Sequence, residues 1–331
     1  MAEKVRQSNI ELCRIASILL VMLVHTTHQS LGDDMSFGAL MLEAFSIIGV
    51  NVFILITGYF SATPKKTSLL NLAFICLFWV IVKVICRYEF EQSLGYKYAF
   101  FVTSSNWFIA SYIGLLFVAP ILNQFSSTVS RRTLLGGVIS LLSVEVWFDL
   151  LPPNPTVSLG TQNGYSVYSF MVLYLLARYI RLYGLPDWVK KYSLWIYLIC
   201  SIVLGAVAYL GKVNGYGVYS IIFAYSNPVV VLSSVTFLMT FDKMNIQSKV
   251  INHIAKSTLA VLLGHSAIFF LYTKQFKYLY EHYTGIEVIC YWALAIAIVF
   301  VASILIDQLR LLLWKTISGW LTTHIEHNNI Y

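Results

Sequence analysis

The stretch IELCRIASILLVMLVHTTHQS, residues 10–30, decides the fold. A helix needs roughly 20 mainly apolar residues to cross about 30 Å of hydrocarbon, and this run supplies them. It nevertheless carries Arg14 near one end and His25 near the other. Eleven helical steps of about 100° come to roughly three turns plus 20°, so both side chains project from one face. At about 1.5 Å per residue they stand roughly 16 Å apart along the axis. A cation and an imidazole on one face of a membrane helix cost free energy unless something pairs or uses them. Lys4 and Arg6 ahead of an apolar run are also the pattern of a secretory leader. Arg14 interrupts that run and no small-residue cleavage site follows, so it reads as an uncleaved first membrane helix.

The rest of the chain has the same character. Of 331 residues, 58% are hydrophobic and only 11% charged, with a mean hydropathy of +0.74. A soluble domain carries about 25% charged residues. Further apolar stretches fall at 38–60, 68–88, 106–123, 132–150, 164–183, 190–210, 216–241, 252–274 and 286–314. Turn signals separate them, among them Gly32-Asp33-Asp34, Pro64 and Pro152-Pro153-Asn154-Pro155. The expectation is an all-α polytopic membrane protein of about ten transmembrane helices, forming one domain over 1–331. Asn227-Pro228, inside the eighth stretch, reads as a kink that neighbouring helices tolerate.

Charge gives the orientation. One set of loops and ends holds Lys4, Arg6, Lys65, Lys66, Arg131, Arg132, Arg178, Arg181, Lys190, Lys191, Lys243, Lys249, Lys256, Arg310 and Lys315. The other set holds Arg87, Lys97, Lys212, Lys274 and Lys277, while Arg14 and Lys83 lie within spans. Basic loops stay cytoplasmic, so both termini are expected inside. The same bias accounts for the net charge of +7. No clustered basic stripe or nucleic-acid-binding module is present, so no nucleic-acid partner is expected. The five cysteines show no CxxC spacing, which argues against a disulfide framework or a zinc site.

Orientation then sets depth. Glu43 in the second helix and Glu145 in the fifth come to the level of His25, roughly 7–8 Å below the outer boundary. His28 stands one turn further out. A His–carboxylate pair there would orient a general base. Each residue also has a plainer role. Arg14 can snorkel to inner headgroups, and His25 can be a packed interhelical donor. Trp107 and Tyr112 suit either an aromatic belt or a sugar-stacking surface. Asn106 and Asn123 suit sugar or backbone bonding. His25 and His28 have no third ligand at fitting spacing, so no metal is expected. Neither a G-x-S-x-G elbow nor a Walker loop occurs.

The opening Asn9-Ile10-Glu11-Leu12-Cys13-Arg14-Ile15-Ala16, followed by His25, resembles the start of the acyltransferase type 3 family of bacterial integral-membrane acyltransferases. An arginine, ten residues and a histidine are its signature. NVFILITGYF (51–60) resembles the family's Phe-Phe-x-x-Ser-Gly segment, with Ile54 for the second Phe and Thr57 for the Ser. NWFIASYIGLLFVAPILN (106–123) is similar to its Trp-led helix ending in Pro-hydrophobic-Leu-Asn. YLLARYIRLY (174–183) resembles Tyr-Leu-x-Gly-Arg-Tyr-Ile-Arg, with Ala177 for Gly. STLAVLLGHSAIFF (257–270) resembles a late Tyr-Leu-Ile-His-Pro, with Leu262, Gly264 and Ser266 as departures.

The resemblance implies transfer of an acyl group, most often acetyl, from acetyl-coenzyme A to a hydroxyl of a carbohydrate or lipid-linked saccharide. It implies a multi-pass protein of the bacterial inner membrane, in contact with membrane lipid. On this reading Arg14 holds an anionic part of coenzyme A, since guanidinium pairs bidentately with phosphate. His25 takes the hydroxyl proton or briefly carries the acyl group. Glu43 and Glu145 support it, and Arg178 and Arg181 add phosphate contacts. Trp107, Tyr112, His28 and His265 face the substrate. A transporter or flippase of small anions or lipid-linked sugars is the alternative, although no inverted repeat or paired broken helices support it. A scaffold for a glycan-synthesis complex would have no need of the Arg14–His25 pair.

Overall fold

The structure, a computed structural model, describes residues 6–89, 107–151, 159–217 and 219–327. Lys4, Lys97 and Asn106 of the sequence reading lie outside them. Among the described residues no strand occurs. The first half holds α1 (Ser8–Val24), α2 (His28–Leu31), α3 (Phe37–Ser46), α4 (Gly49–Tyr59), α5 (Lys66–Glu89), α6 (Trp107–Thr128) and α7 (Arg131–Leu150). The second half holds α8 (Val167–Tyr183), α9 (Asp187–Lys191), α10 (Ser193–Val213), α11 (Tyr219–Ile222), α12 (Pro228–Asp242), α13 (Lys249–Ile254), α14 (Thr258–Ala267), α15 (Phe269–His282) and α16 (Gly285–His327).

All ten expected stretches are helical over most of their length, but the count of spans is lower. Among the described residues, seven segments are long and apolar enough to cross a membrane, and eight if one bent pair is a single span. Three local causes explain the difference. The sixth stretch yields a 17-residue helix because Ser166 caps α8 at Ser169 and Gly184, at φ +72°, ends it. The eighth is broken rather than kinked. The Asn227 side chain accepts from the Val229 N–H, and Pro228 opens α12, so only 15 residues remain. The ninth bends by 74° between Ala267 and Phe269.

Serine caps set other starts as well. Ser36, Ser130 and Ser248 each accept a backbone N–H at the head of α3, α7 and α13. Two glycines let backbones meet. A Cβ on Gly49 would lie 2.8 Å from the Ser17 carbonyl of α1, and one on Gly58 would lie 2.6 Å from the Tyr174 carbonyl of α8. The pair α3–α4 is accordingly the most buried of the spans.

The chain forms two compact units. The first comprises α1–α4 and α6–α13, with α4 packed against α1, α8 and α12, and α10 against α3 and α12. The second comprises α5 and α14–α16, with α14 packed against α5 and α16. Inside the second, the buried Arg310 pairs with Asp307 on its own helix and donates to Asn71 Oδ1 at 3.2 Å. The guanidinium thus has both a counter-ion and an amide acceptor, which a buried cation requires.

Candidate functional site

Arg14 and His25 stand where their spacing puts them, near the start of α1 and at its C-cap. The turn after α1 is tied down by hydroxyls. Thr26 donates to the Leu23 carbonyl at 2.7 Å, and the single Thr27 hydroxyl proton is shared between the Val24 carbonyl, 2.8 Å away, and a carboxyl oxygen of Glu43. Ser30 Oγ donates to the His25 carbonyl at 2.8 Å. Glu43, buried on α3, reaches this turn. Its Oε2 accepts from the Thr27 hydroxyl and from the His28 backbone N–H at 3.5 Å. Its Oε1 accepts from Tyr219 Oη at 2.6 Å. The His28 ring stacks on Tyr219 with centroids 4.1 Å apart. Glu43 therefore holds the segment that follows His25 through Thr27 and His28.

The broken eighth stretch belongs to the same region. Tyr225 N–H donates to the Asn163 carbonyl, and the Tyr225 carbonyl accepts from Asn51 Nδ2, both at 2.9 Å. Asp149 accepts from Thr161 Oγ1 and from Ser226 Oγ, the latter at 2.7 Å. Gly164, at φ +97°, sits against Tyr225, where a Cβ would come within 2.4 Å of the Tyr225 Cβ. Trp107 joins this cluster, 4.4 Å from Tyr165 and 5.9 Å from Tyr225. Tyr112 stacks one turn away on Phe108. Glu145, also buried, lies on α7, which packs against α8. Its Oε1 has no hydrogen-bond partner.

The Arg14 end of the unit is built from guanidinium groups. Arg14 pairs with Glu11 at 3.2 Å, and Arg6 lies 3.9 Å from the same carboxylate. Two cations share one anion, which leaves the trio at net +1. Asn9 Nδ2 donates to the Phe241 and Asp242 carbonyls and so joins α1 to the end of α12. Tyr59 Oη donates to Asp242 Oδ1 at 2.8 Å and accepts from Arg181, whose guanidinium lies 4.8 Å from the Tyr59 ring centre. Arg178 is buried, and its hydrogen bonds run to Ser126 and Ser61. Asn123 donates to the Ala62 carbonyl and accepts from Tyr174. Thr57, matched above to a family serine, donates to the Phe53 carbonyl of its own helix.

His265 is placed in the second unit, wholly buried, with Nδ1 donating to the Val261 carbonyl at 2.9 Å. Sequence reasoning did not reach Tyr219, Tyr165, Tyr225, Ser61 or Ser126. Ser61 alone left a trace, a non-glycine at φ +53°, and only the backbone shows it.

The fold and these buried polar groups define a multi-pass membrane protein with ionisable side chains at both ends of its first helix. A family model described as an acyltransferase domain matches residues 7–308, and the chain belongs to the acyltransferase 3 family. It is thus a membrane acyltransferase. No curated protein and no solved structure matches it.

Proposed function

We propose that the protein transfers an acetyl group from acetyl-coenzyme A to a hydroxyl of a cell-surface or lipid-linked carbohydrate, in a bacterial cytoplasmic membrane with both termini inside. The observation that carries this reading is the Arg14–His25 pair on one helix, roughly 16 Å apart by helical rise. That distance suits an extended pantetheine arm. Phosphate docks at the Arg14 end, where the excess positive charge and the buried Arg178 favour an anion. The thioester then lies near His25. The imidazole takes the proton of the sugar hydroxyl as its oxygen attacks the thioester carbonyl. The carbon–sulfur bond breaks, and the thiolate leaving group takes the proton back to give free coenzyme A. Glu43 contributes by fixing the turn beside His25 through Thr27 and His28.

The test is release of coenzyme A thiol by purified protein given acetyl-coenzyme A and a glycan acceptor. Equal release by wild type and His25→Ala would remove His25 from the chemistry. Unchanged donor affinity in Arg14→Ala would remove the clamp.

A further inference from the structure

The cluster around Tyr225 contains more polar capacity than the protein uses. Asn51 is fully buried, and its Nδ2 is engaged by the Tyr225 carbonyl, yet its Oδ1 has no partner. His28 Nδ1 is buried and equally unpartnered, although its ring is fixed against Tyr219. Buried polar atoms are nearly always bonded, so orphans of this kind mark places where another molecule completes the set. Beside them stands an aromatic surface. The rings of Trp107, Tyr165 and Tyr225 have centroids within 4.4–5.9 Å of one another, and the residue Tyr165 remains 39% exposed. Flat rings with an apolar body and a polar edge, next to unused donors and acceptors, match a polyhydroxylated ring. Its C–H face covers the aromatics and its hydroxyls complete the orphans.

Charge narrows the class. The acids here are Glu43 and Asp149, whose resolved bonds come from hydroxyls and a backbone N–H. Among the described residues neither has a Lys or Arg ion pair. Lys212 directs its ammonium to the carbonyls of Asp33 and Met35. A ligand carboxylate or phosphate would find no Lys or Arg ion partner on these two acids to offset its desolvation, whereas a neutral hydroxyl-bearing ring loses far less on burial.

We infer that Trp107, Tyr165, Tyr225, Asn51 and His28 form the acceptor subsite, and that it selects a neutral pyranose over an acidic one. The inference rests on the acyltransferase reading for its meaning, but its test does not need acyl transfer. Purified full-length protein in nanodiscs is titrated with methyl β-glucoside and methyl β-galactoside and with the corresponding uronic acid glycosides, binding being followed by saturation-transfer NMR. The neutral glycosides should bind at least about 10-fold more tightly than the uronates. Tyr165→Ala should weaken them about 10-fold, and Tyr165→Phe should keep wild-type affinity within about 2-fold. Equal binding of the uronates, an unaffected Tyr165→Ala, or no binding of any glycoside overturns the subsite. Neutral glycoside binding through Tyr165 with no thiol release from acetyl-coenzyme A would instead overturn the transferase reading and leave the subsite standing.

Discussion

At the Arg14 end of the first unit, cations outnumber the carboxylates they touch. Arg6 and Arg14 share Glu11, and the bonds resolved to Arg178 run to serine hydroxyls. At the His25 end the reverse holds. Glu43 and Asp149 are bonded by hydroxyls and a backbone N–H rather than by cations. One end therefore holds an excess of cations and the other holds carboxyls with neutral donors as partners, which spares each group burial without a partner. The two ends of α1 thus stand in unlike polar surroundings, cation-rich at one and hydroxyl-rich at the other.

The comparison breaks most sharply at His25. His25→Ala should lower thiol release by about 10²- to 10⁴-fold, the usual size of a general-base contribution, measured at saturating donor and acceptor. Arg14→Ala should raise the KM for acetyl-coenzyme A by about 10- to 100-fold, since hydrogen bonds to charged groups are worth about 1.5–3 kcal/mol. Its kcat should hold. Glu43→Ala strands the His28 N–H and the Tyr219 hydroxyl together. A loss of roughly 1–3 kcal/mol per buried orphan is expected, read as a fall in thermal stability in detergent, with Glu43→Gln recovering part of it. Gly58→Val should cost about 1–3 kcal/mol by forcing α4 away from the Tyr174 carbonyl. Arg6→Ala is expected to matter least, below about 1 kcal/mol in stability, because its pair with Glu11 is long and exposed. If it weakens donor binding as much as Arg14→Ala, the net charge of the trio matters more than Arg14 itself.

Much of this was legible in the sequence where one helix carries the information. Arg14 and His25 share α1, so period and rise alone place them. The positions of all ten helical stretches follow from runs of apolar residues. What stayed hidden depends on contacts between distant segments. Glu43 was expected level with His25, but its bond to Tyr219 joins residues 176 apart, and no periodicity links them. Arg178 looked like a loop anchor because its serine partners are supplied by α6 and the turn after α4. Asn227-Pro228 looked like a kink because a proline within an apolar run has that meaning when the asparagine before it is not a cap. The bend at Ile268 gave no signal, since neither glycine nor proline marks it.

Asn51 has a consequence for how the protein is made. Its amide waits for a carbonyl 174 residues further along the chain, and Glu43 waits as long for Tyr219. At roughly 5–20 residues per second, synthesis leaves both in the membrane for about 9–35 s before their partners exist. During that interval the early helices hold a carboxyl and an amide without their final bonds. They are the point at which a slowed ribosome or a misplaced late helix would first be felt.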